Sequence, residues 1–377
     1  MDRTFEVKSR TGDPTDAEVR EIGILAGNQR AACDDRAYFQ AAAERLAMLP
    51  DASEPDVPVL LLEQHYGQQG ALTALSSEVE RTFDARLADG RAFILKTSSR
   101  PQALESFQFQ SAALAGLRGA DGVMAPEVID TLSGGLMFEH EGGCGYLQTR
   151  MDGIPLHMVP RTPEILREVG AALARLNLAM KDTDPPAARR PVLWNIACWP
   201  WLVELERYLS KGRTAKLVRS AMAEYIRDIS PHIADLDWQV THNDPSPFNM
   251  IDTGKGIGFI DFGDGGWNPR VQDLAIAAGH FVIDPRTPLG GAEHVIAGYA
   301  SLAPLSELEA SLLLGLMRAR QSALVLINNW RSHLFPAAAP YIMKNVKRAE
   351  QGLAVLALLD VSSGEAAIRA AAGLDPP

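Results

Sequence analysis

The hydrophobic pattern of the chain changes character near residue 156. Before it, apolar positions come in short β-prone runs separated by turn signals. Ala71–Ser76 reads as a strand, Ser77–Arg81 as a polar turn and Thr82–Leu87 as a second strand. Asp89-Gly90 is a strong two-residue hairpin signal, and Arg91–Thr97 follows it, with Phe93-Ile94-Leu95 leading into Lys96. Gln102–Leu117 has helical spacing, its apolar face formed by Leu104, Phe107, Ala113, Leu114 and Leu117. Strands are expected at Met124–Ile129 and Leu136–Glu139, and Tyr146–Met151 reads as a strand running out into the extended connector Asp152–Pro155.

After residue 156 the period becomes helical. Thr162–Leu178 places Ile165, Val169, Leu173 and Leu176 on one face behind a Thr-Pro-Glu cap. Trp194–Leu209, Leu217–Ile229, a segment beginning at Asp273, Glu307–Asn328 and Ala338–Leu359 are further expected helices. The pattern predicts an α+β protein with two lobes: a small β-rich N-terminal lobe over residues 57–150 and a large α-rich lobe over 151–377, joined by a hinge. Residues 1–56 contain two expected helices, near Asp16–Ala26 and Asp34–Met48, and a linker at Asp51–Pro58. They carry no recognisable chemistry; a cap over the site, an element for a homodimer and a partly disordered extension are all open.

Only the turn-rich segment 238–264 interrupts the helices, and it carries the chemistry. His242-x-Asp244-x-x-x-x-Asn249 is followed by a short hairpin and by Ile260-Asp261-Phe262-Gly263-Asp264. Phosphoryl transfer needs such a set: one carboxylate to accept the proton of an attacking hydroxyl, and an amide and a second carboxylate to hold magnesium against nucleotide phosphates. Asp and Asn also build ordinary turns beside proline, but two motifs in register point to the chemistry. Lys96, at the end of a third strand, stands where a phosphate-pairing lysine is expected, and the connector after it is where backbone groups around Gln148 and Met151 would hold a purine ring.

Composition narrows this picture. The 377 residues suffice for two lobes with sizeable cores. A net charge of −11 argues against nucleic acid as a partner and permits a cationic one. The three cysteines, Cys33, Cys144 and Cys198, show neither metal spacing nor a disulfide framework, which favours a cytoplasmic setting. No apolar run reads as transmembrane and no signal-peptide core is visible, so no membrane partner is expected.

The chain resembles the aminoglycoside phosphotransferase and choline kinase superfamily, and within it the hydroxylysine kinase group. The matching segments are His65-Tyr66-Gly67-x-x-Gly70, Leu75-Ser76-Ser77-Glu78-x-Glu80-x-x-Phe83, Phe93-Ile94-Leu95-Lys96, Trp194-Asn195, the two motifs above, Asp273-Leu274-Ala275 and Arg320…Trp330-Arg331, over roughly residues 57–360. It differs at Val79-Glu80-Arg81-Thr82 and Asn243, and the helix position that carries an acid in many relatives falls at Ala112. The resemblance implies a protein-kinase-like fold, with ATP or GTP as donor and Mg2+ as cofactor. Asp244 would be the base and Asn249 and Asp261 the metal ligands. Lys96 would neutralise phosphate charge, with Glu105, the one carboxylate of its helix, as candidate ion-pair partner. His242 and Asp273 would order the loop. Ser76 and Ser77 would cover the phosphates or simply form a polar turn. Arg320 would grip a substrate carboxylate or form a surface salt bridge, Asp264 would face the metals or a substrate amine, and Trp194 and Trp330 would line the pocket or belong to the core. Three functions compete: a kinase of a hydroxylated amino acid or amine, hydroxylysine first; a kinase of an aminoglycoside, choline or ethanolamine, homoserine or a sugar; and a non-catalytic nucleotide-binding protein.

Overall fold

The structure, a computed structural model, describes residues 32–48, 57–75, 80–140 and 142–375. Two helices precede the first sheet, α1 (Ala32–Leu46) and α2 (Val57–Tyr66). The sheet is antiparallel with six strands: β1 (Gly70–Leu75), β2 (Arg81–Leu87), β3 (Ala92–Ser98), β4 (Val128–Ile129), β5 (Phe138–His140) and β6 (Gly143–Thr149), in the order β1-β2-β3-β6-β4 with β5 also on β6. The β2–β3 hairpin turns at Asp89-Gly90, where Gly90 takes a φ of 87°. Alternation along these strands sends Phe83, Ala85, Leu87, Phe93 and Leu95 to one face, against Leu61, Leu62 and Tyr66 of α2. The opposite set, Thr82, Ile94 and Lys96, faces a cleft. Helix α3 (Ala103–Gly116) lies beside the sheet, with Phe107 packed edge-on against Tyr146 at 5.6 Å between ring centroids.

Below the cleft the chain is mostly helical. β7 (Ile154–Pro155) leads to α4 (Pro163–Met180), capped by the Thr162 hydroxyl with proline in its first turn. Tight 3-10 turns follow over Ile196–Tyr208, then α5 (Arg213–Glu224). Four short strands carry the motif segment: β8 (Trp238–Thr241), β9 (Met250–Asp252), β10 (Ile257–Phe259) and β11 (Gly266–Pro269). β9 and β10 form the expected hairpin, with β7 on the outer edge of β9, while β11 pairs with β8. The remaining helices are α6 (Arg270–His280), α7 (Ala292–Ala300), α8 (Glu307–Leu334), α9 (Ala339–Ile342), α10 (Val346–Leu356) and α11 (Val361–Ala372). Helices α4 and α7 approach so closely at Gly170 and Gly298 that a Cβ on either glycine would meet the other helix's backbone.

Helix α8 is the axis of this part. Its start is fixed by a capping box between Ser306 and Glu309. By length and composition it is apolar enough to cross a bilayer, contrary to the sequence expectation, yet 94% of its most apolar window is buried inside the fold. It is a core helix ringed by protein.

Several expected boundaries move for identifiable reasons. Met124–Ile129 shrinks to Val128–Ile129, since Pro126 has no N–H for a ladder. Trp194–Leu209 winds as 3-10 turns around Pro200, and Ala338–Leu359 is broken at Met343–Asn345. Leu217–Ile229 starts earlier, at Arg213, and ends in a π turn at Tyr225–Ile229. The expected linker ends too late, because Val57 and Pro58 already open α2. The helix expected at Asp16–Ala26 and the Ser76-Ser77 turn lie outside the described residues.

Candidate active site

Strand β8 delivers the first motif. His242 is fully buried. Its Nδ1 accepts from the Asp244 N–H at 3.3 Å and its Nε2 faces the Ile260 carbonyl at 3.0 Å, so one neutral tautomer satisfies both bonds. Burial pushes its pKa down to about 4. Asp273, in the first turn of α6, accepts the backbone N–H groups of His242 at 3.0 Å and Asn243 at 2.7 Å and the Asn177 amide at 2.8 Å. Burial raises its pKa to about 6 despite those bonds. His242 and Asp273 therefore both tie down the start of the loop, at residues 242–244. Asn243 sits at a φ of 63°, a conformation Asn tolerates better than most residues. Its side chain bridges the Asp264 carbonyl and Gln272.

The bend that follows brings Asp244 and Asn249 together. Asn249 Nδ2 donates to Asp244 Oδ2 at 2.7 Å, and Arg320 Nη2 donates to Oδ1 at 3.1 Å. The Asp244 carboxylate is oriented from both sides and still 24% exposed to the cleft. Because Asn249 uses its N–H groups on Asp244, its amide oxygen is the part suited to a cation. Asp261, at the end of the β9–β10 hairpin, also has a left-handed φ of 63°. Strain of this kind persists where surrounding bonds over-determine it.

Across the cleft, Lys96 is buried and charged. It donates to Asp261 Oδ1 at 2.8 Å and Gln110 Oε1 at 2.9 Å, with Glu80 Oε2 at 3.8 Å. Burial opposes the ammonium, but Asp261 and Glu80 hold its pKa above the usual lysine value. The same ammonium keeps the Asp261 carboxyl below its ordinary range. Gln110 closes the network: its oxygen also accepts the Tyr146 hydroxyl at 2.9 Å, and its Nε2 donates to Glu80 Oε1 at 2.9 Å, where Ser106 donates as well at 2.8 Å.

Glu105 is not the partner of Lys96. It turns outward to Arg45 of α1 at 2.6 Å. The α3 position that reaches Lys96 is Gln110, not Ala112, and the carboxylate comes from Glu80 at the start of β2. A helix turns about 100° per residue, so Glu105 and Gln110, five apart, point in different directions. Residue type singled out Glu105; the spacing to the buried face of α3 is the signal that finds Gln110.

Lys96, Asp244, Asn249, Asp261, Asp264, Trp194, Gln148, Met151 and Arg320 all line one cleft of about 700 Å³. Ile94, Met151, Ile251 and Ile260 give one end an apolar lining. Trp330 is not among the lining residues and packs in the core of α8. Arg320 is no surface salt bridge: it is 3% exposed, with its guanidinium carbon 4.6 Å from the Trp194 ring centre.

Sequence reasoning missed one further support. Arg190, buried, donates from Nη2 to the Gly263 carbonyl at 2.5 Å and lies 4.3 Å over the Phe109 ring of α3. Burial pushes it down to about 10, which leaves it charged. Tyr38 of α1 donates to the Arg190 carbonyl at 2.7 Å and accepts the Val192 N–H at 3.2 Å. Arg45 and Met48 line the cleft. The 32–48 segment is thus part of the site wall, and no motif in it signalled that.

A hydroxylysine kinase of Mus musculus is 24% identical over 213 residues, covering 53% of this chain and 57% of that protein. The chain therefore spans little more than half the length of that relative. A homoserine kinase of Polaromonas naphthalenivorans (strain CJ2) is 28% identical over 225 residues, 56% of this chain and 67% of that one. The solved structure of a microcompartment-associated aminopropanol kinase superposes with a TM-score of 0.61 at 18% identity, over 82% of this chain and 99% of that one. That likeness shows the α+β, protein-kinase-like fold, with its sheet in the N-terminal part and its helices in the C-terminal part. Residues 71–305 match the model of the phosphotransferase enzyme family APH, and the chain belongs to that family.

Proposed function

We propose that the chain is a small-molecule kinase that moves the γ-phosphoryl group of ATP or GTP to a hydroxyl of a small hydroxylated amino acid or amine, with hydroxylysine as first candidate. The observation that carries this reading is the convergence of Asp244, Asn249, Asp261 and Lys96 on one cleft. The family membership and the hydroxylysine and homoserine kinases among the relatives support it.

Magnesium fits the residues present. Among the described residues no cluster of three or more His, Cys, Asp or Glu is placed to hold a metal. Magnesium needs none, since it takes one or two protein oxygens and completes its shell with phosphates and water. Asn249 and Asp261 offer those oxygens, and the Asp261 side chain is 54% exposed. When bound, the ion would neutralise charge on the phosphates.

The protein's own groups do the rest. The apolar end of the cleft takes the purine, near Met151 and Gln148. Lys96, fixed by Gln110 and Glu80, presents its ammonium to the phosphates. Asp244, oriented by Asn249 and Arg320, aligns the acceptor hydroxyl and accepts its proton as the new O–P bond forms and the bond to the nucleoside diphosphate breaks. His242 stays neutral and holds the loop.

A nucleotide-consumption assay over hydroxylysine, homoserine, aminopropanol, choline and an aminoglycoside, with ATP and with GTP, tests the reading. Turnover with a hydroxylated amino acid or amine is expected. No acceptor-stimulated consumption with any of them, in protein shown to be folded, would overturn it.

A further inference from the structure

The acceptor end of the cleft carries an unusual charge pattern for a protein of net charge −11. Seven basic side chains line the cleft against four acidic ones. That count covers the whole cleft, and many of these groups are paired, among them Asp244 with Arg320 and Asp261 with Lys96. Arg320 is the centre of the pattern. Its Nη2 meets Asp244, whereas its Nε and Nη1 are buried and have no hydrogen-bond partner among the described residues. Buried donors without partners are unfavourable, so a fold retains them where something else supplies the acceptors.

Asp244 and Asp264 lie near Arg320, and basic groups line the rest of this end. His280 lines the cleft beside Arg320, and burial together with the nearby charges of Arg320, Arg348 and Arg161 pushes its pKa down to about 3. It is a neutral imidazole among arginines. Lys344 lines the same end, its ammonium 5.6 Å from the Phe248 ring centre, and the Arg348 guanidinium lies 5.4 Å from that ring. Arg348 Nη1 is also buried without a partner among the described residues. Phe248 belongs to the loop between Asp244 and Asn249, so this cationic wall adjoins the transfer point.

We propose that this wall is an anion subsite that holds a carboxylate carried by the acceptor, with Arg320 as its main ligand and Lys344 and Arg348 as its long-range field. The inference rests on the kinase reading and adds a substrate class to it. Nε and Nη1 lie on different edges of the guanidinium, so a carboxylate would meet one of them together with the second Nη2 hydrogen while Asp244 keeps the first, which fixes the acceptor's orientation as well as its affinity. Trp194 supplies the flat apolar floor under that pair. The same field repels polycations, so an aminoglycoside or a diamine without a carboxylate is disfavoured.

The test compares matched acceptors that differ only in the carboxylate: 5-hydroxylysine against 1,5-diaminopentan-2-ol, and homoserine against 3-aminopropan-1-ol. In the full chain we expect the carboxylate-bearing member of a pair to have a KM at least tenfold lower. Arg320→Gln should erase that ratio, and Lys344→Met, at an exposed position, should reduce it several-fold. Binding by calorimetry with lysine and cadaverine, which lack the hydroxyl, reads the subsite without chemistry: lysine should bind and cadaverine should not. Equal KM values within the wild-type pairs, or preference for the amines, would overturn the subsite and leave the kinase reading intact. If no acceptor stimulates nucleotide consumption, the kinase reading fails, and the calorimetry alone then decides the subsite.

Discussion

The two walls of the cleft are built on opposite rules. On the sheet side, the groups around Lys96 form a closed circuit: Gln110 uses both ends of its amide, Glu80 accepts from Ser106 and Gln110, and Tyr146 completes the set. On the α8 side, Arg320 has one nitrogen engaged and two buried without partners among the described residues. A closed circuit holds its geometry whether or not a ligand is present. An open one is completed by whatever enters. The first arrangement suits a donor whose phosphates are the same in every cycle, and the second suits selection among acceptors.

The largest effects should come from the groups between the walls. Asp244→Asn should lower kcat about 10²–10⁴-fold and leave nucleotide affinity near wild type, because the base acts on the acceptor side. Wild-type turnover in that variant would remove Asp244 from the chemistry. Asp261→Ala should abolish the magnesium-dependent part of nucleotide binding. Calorimetry with and without magnesium shows it, and an unchanged difference between the two titrations would contradict the role.

The buried support of the motif loop can be separated from both walls by pH. The folded-state pKa of His242 lies near 4, below its ordinary value of 6.5. Between those values the unfolded chain binds a proton that the folded chain refuses, so this contribution is complete above pH 6.5 and is lost as pH falls toward 4. It amounts to about 3 kcal/mol at most. Urea unfolding of wild type and His242→Gln at pH 7 and pH 5 should show a shallower pH dependence in the variant, whereas parallel slopes would argue against it.

The closed circuit itself is tested by Glu80→Gln, which should raise the nucleotide KM about tenfold, or roughly 1.4 kcal/mol. Adding Gln110→Glu should recover most of that loss by restoring a carboxylate beside Lys96. A double variant no better than the single one would mean that Glu80 acts in some other way. The smallest effect is expected for Glu105→Gln. Its partner Arg45 is 27% exposed and Glu105 itself 48%, so the pair is worth under about 1 kcal/mol and kinetics should stay within about twofold. A tenfold change would return Glu105 to the site.

Much of this was legible in the sequence, and unevenly so. Asp244, Asn249, Asp261 and Lys96 were visible because their chemistry needs particular residue types at short spacings along one or two strands. Trp194, Arg320 and Asp264 were visible through the family resemblance, and all three reach the cleft. Trp330 does not, since Arg320, Leu324 and Asn328, four apart on α8, form the stripe that faces the cleft, and Trp330 falls about 120° from its middle. The partner of Lys96 was illegible because a carboxylate 16 residues before it in the chain, Glu80, and an amide on α3 share the task that a single helix acid was expected to perform. The role of Tyr38 and Arg190 could not be read at all, because it depends on where α1 lands after folding.

That landing place has a consequence for how such a protein can change. The family match runs from residue 71 to residue 305, but of the cleft's lining Arg45 and Met48 lie before it and Arg320 and Lys344 after it. The transfer point therefore depends on the matched core and on its flank together, since Arg320 lies beyond the match and orients Asp244 within it. A chain trimmed to the matched core would lose α8, the axis of the helical part, together with the bond from Arg320 that orients Asp244, so the flanks have to change in step with the core they complete.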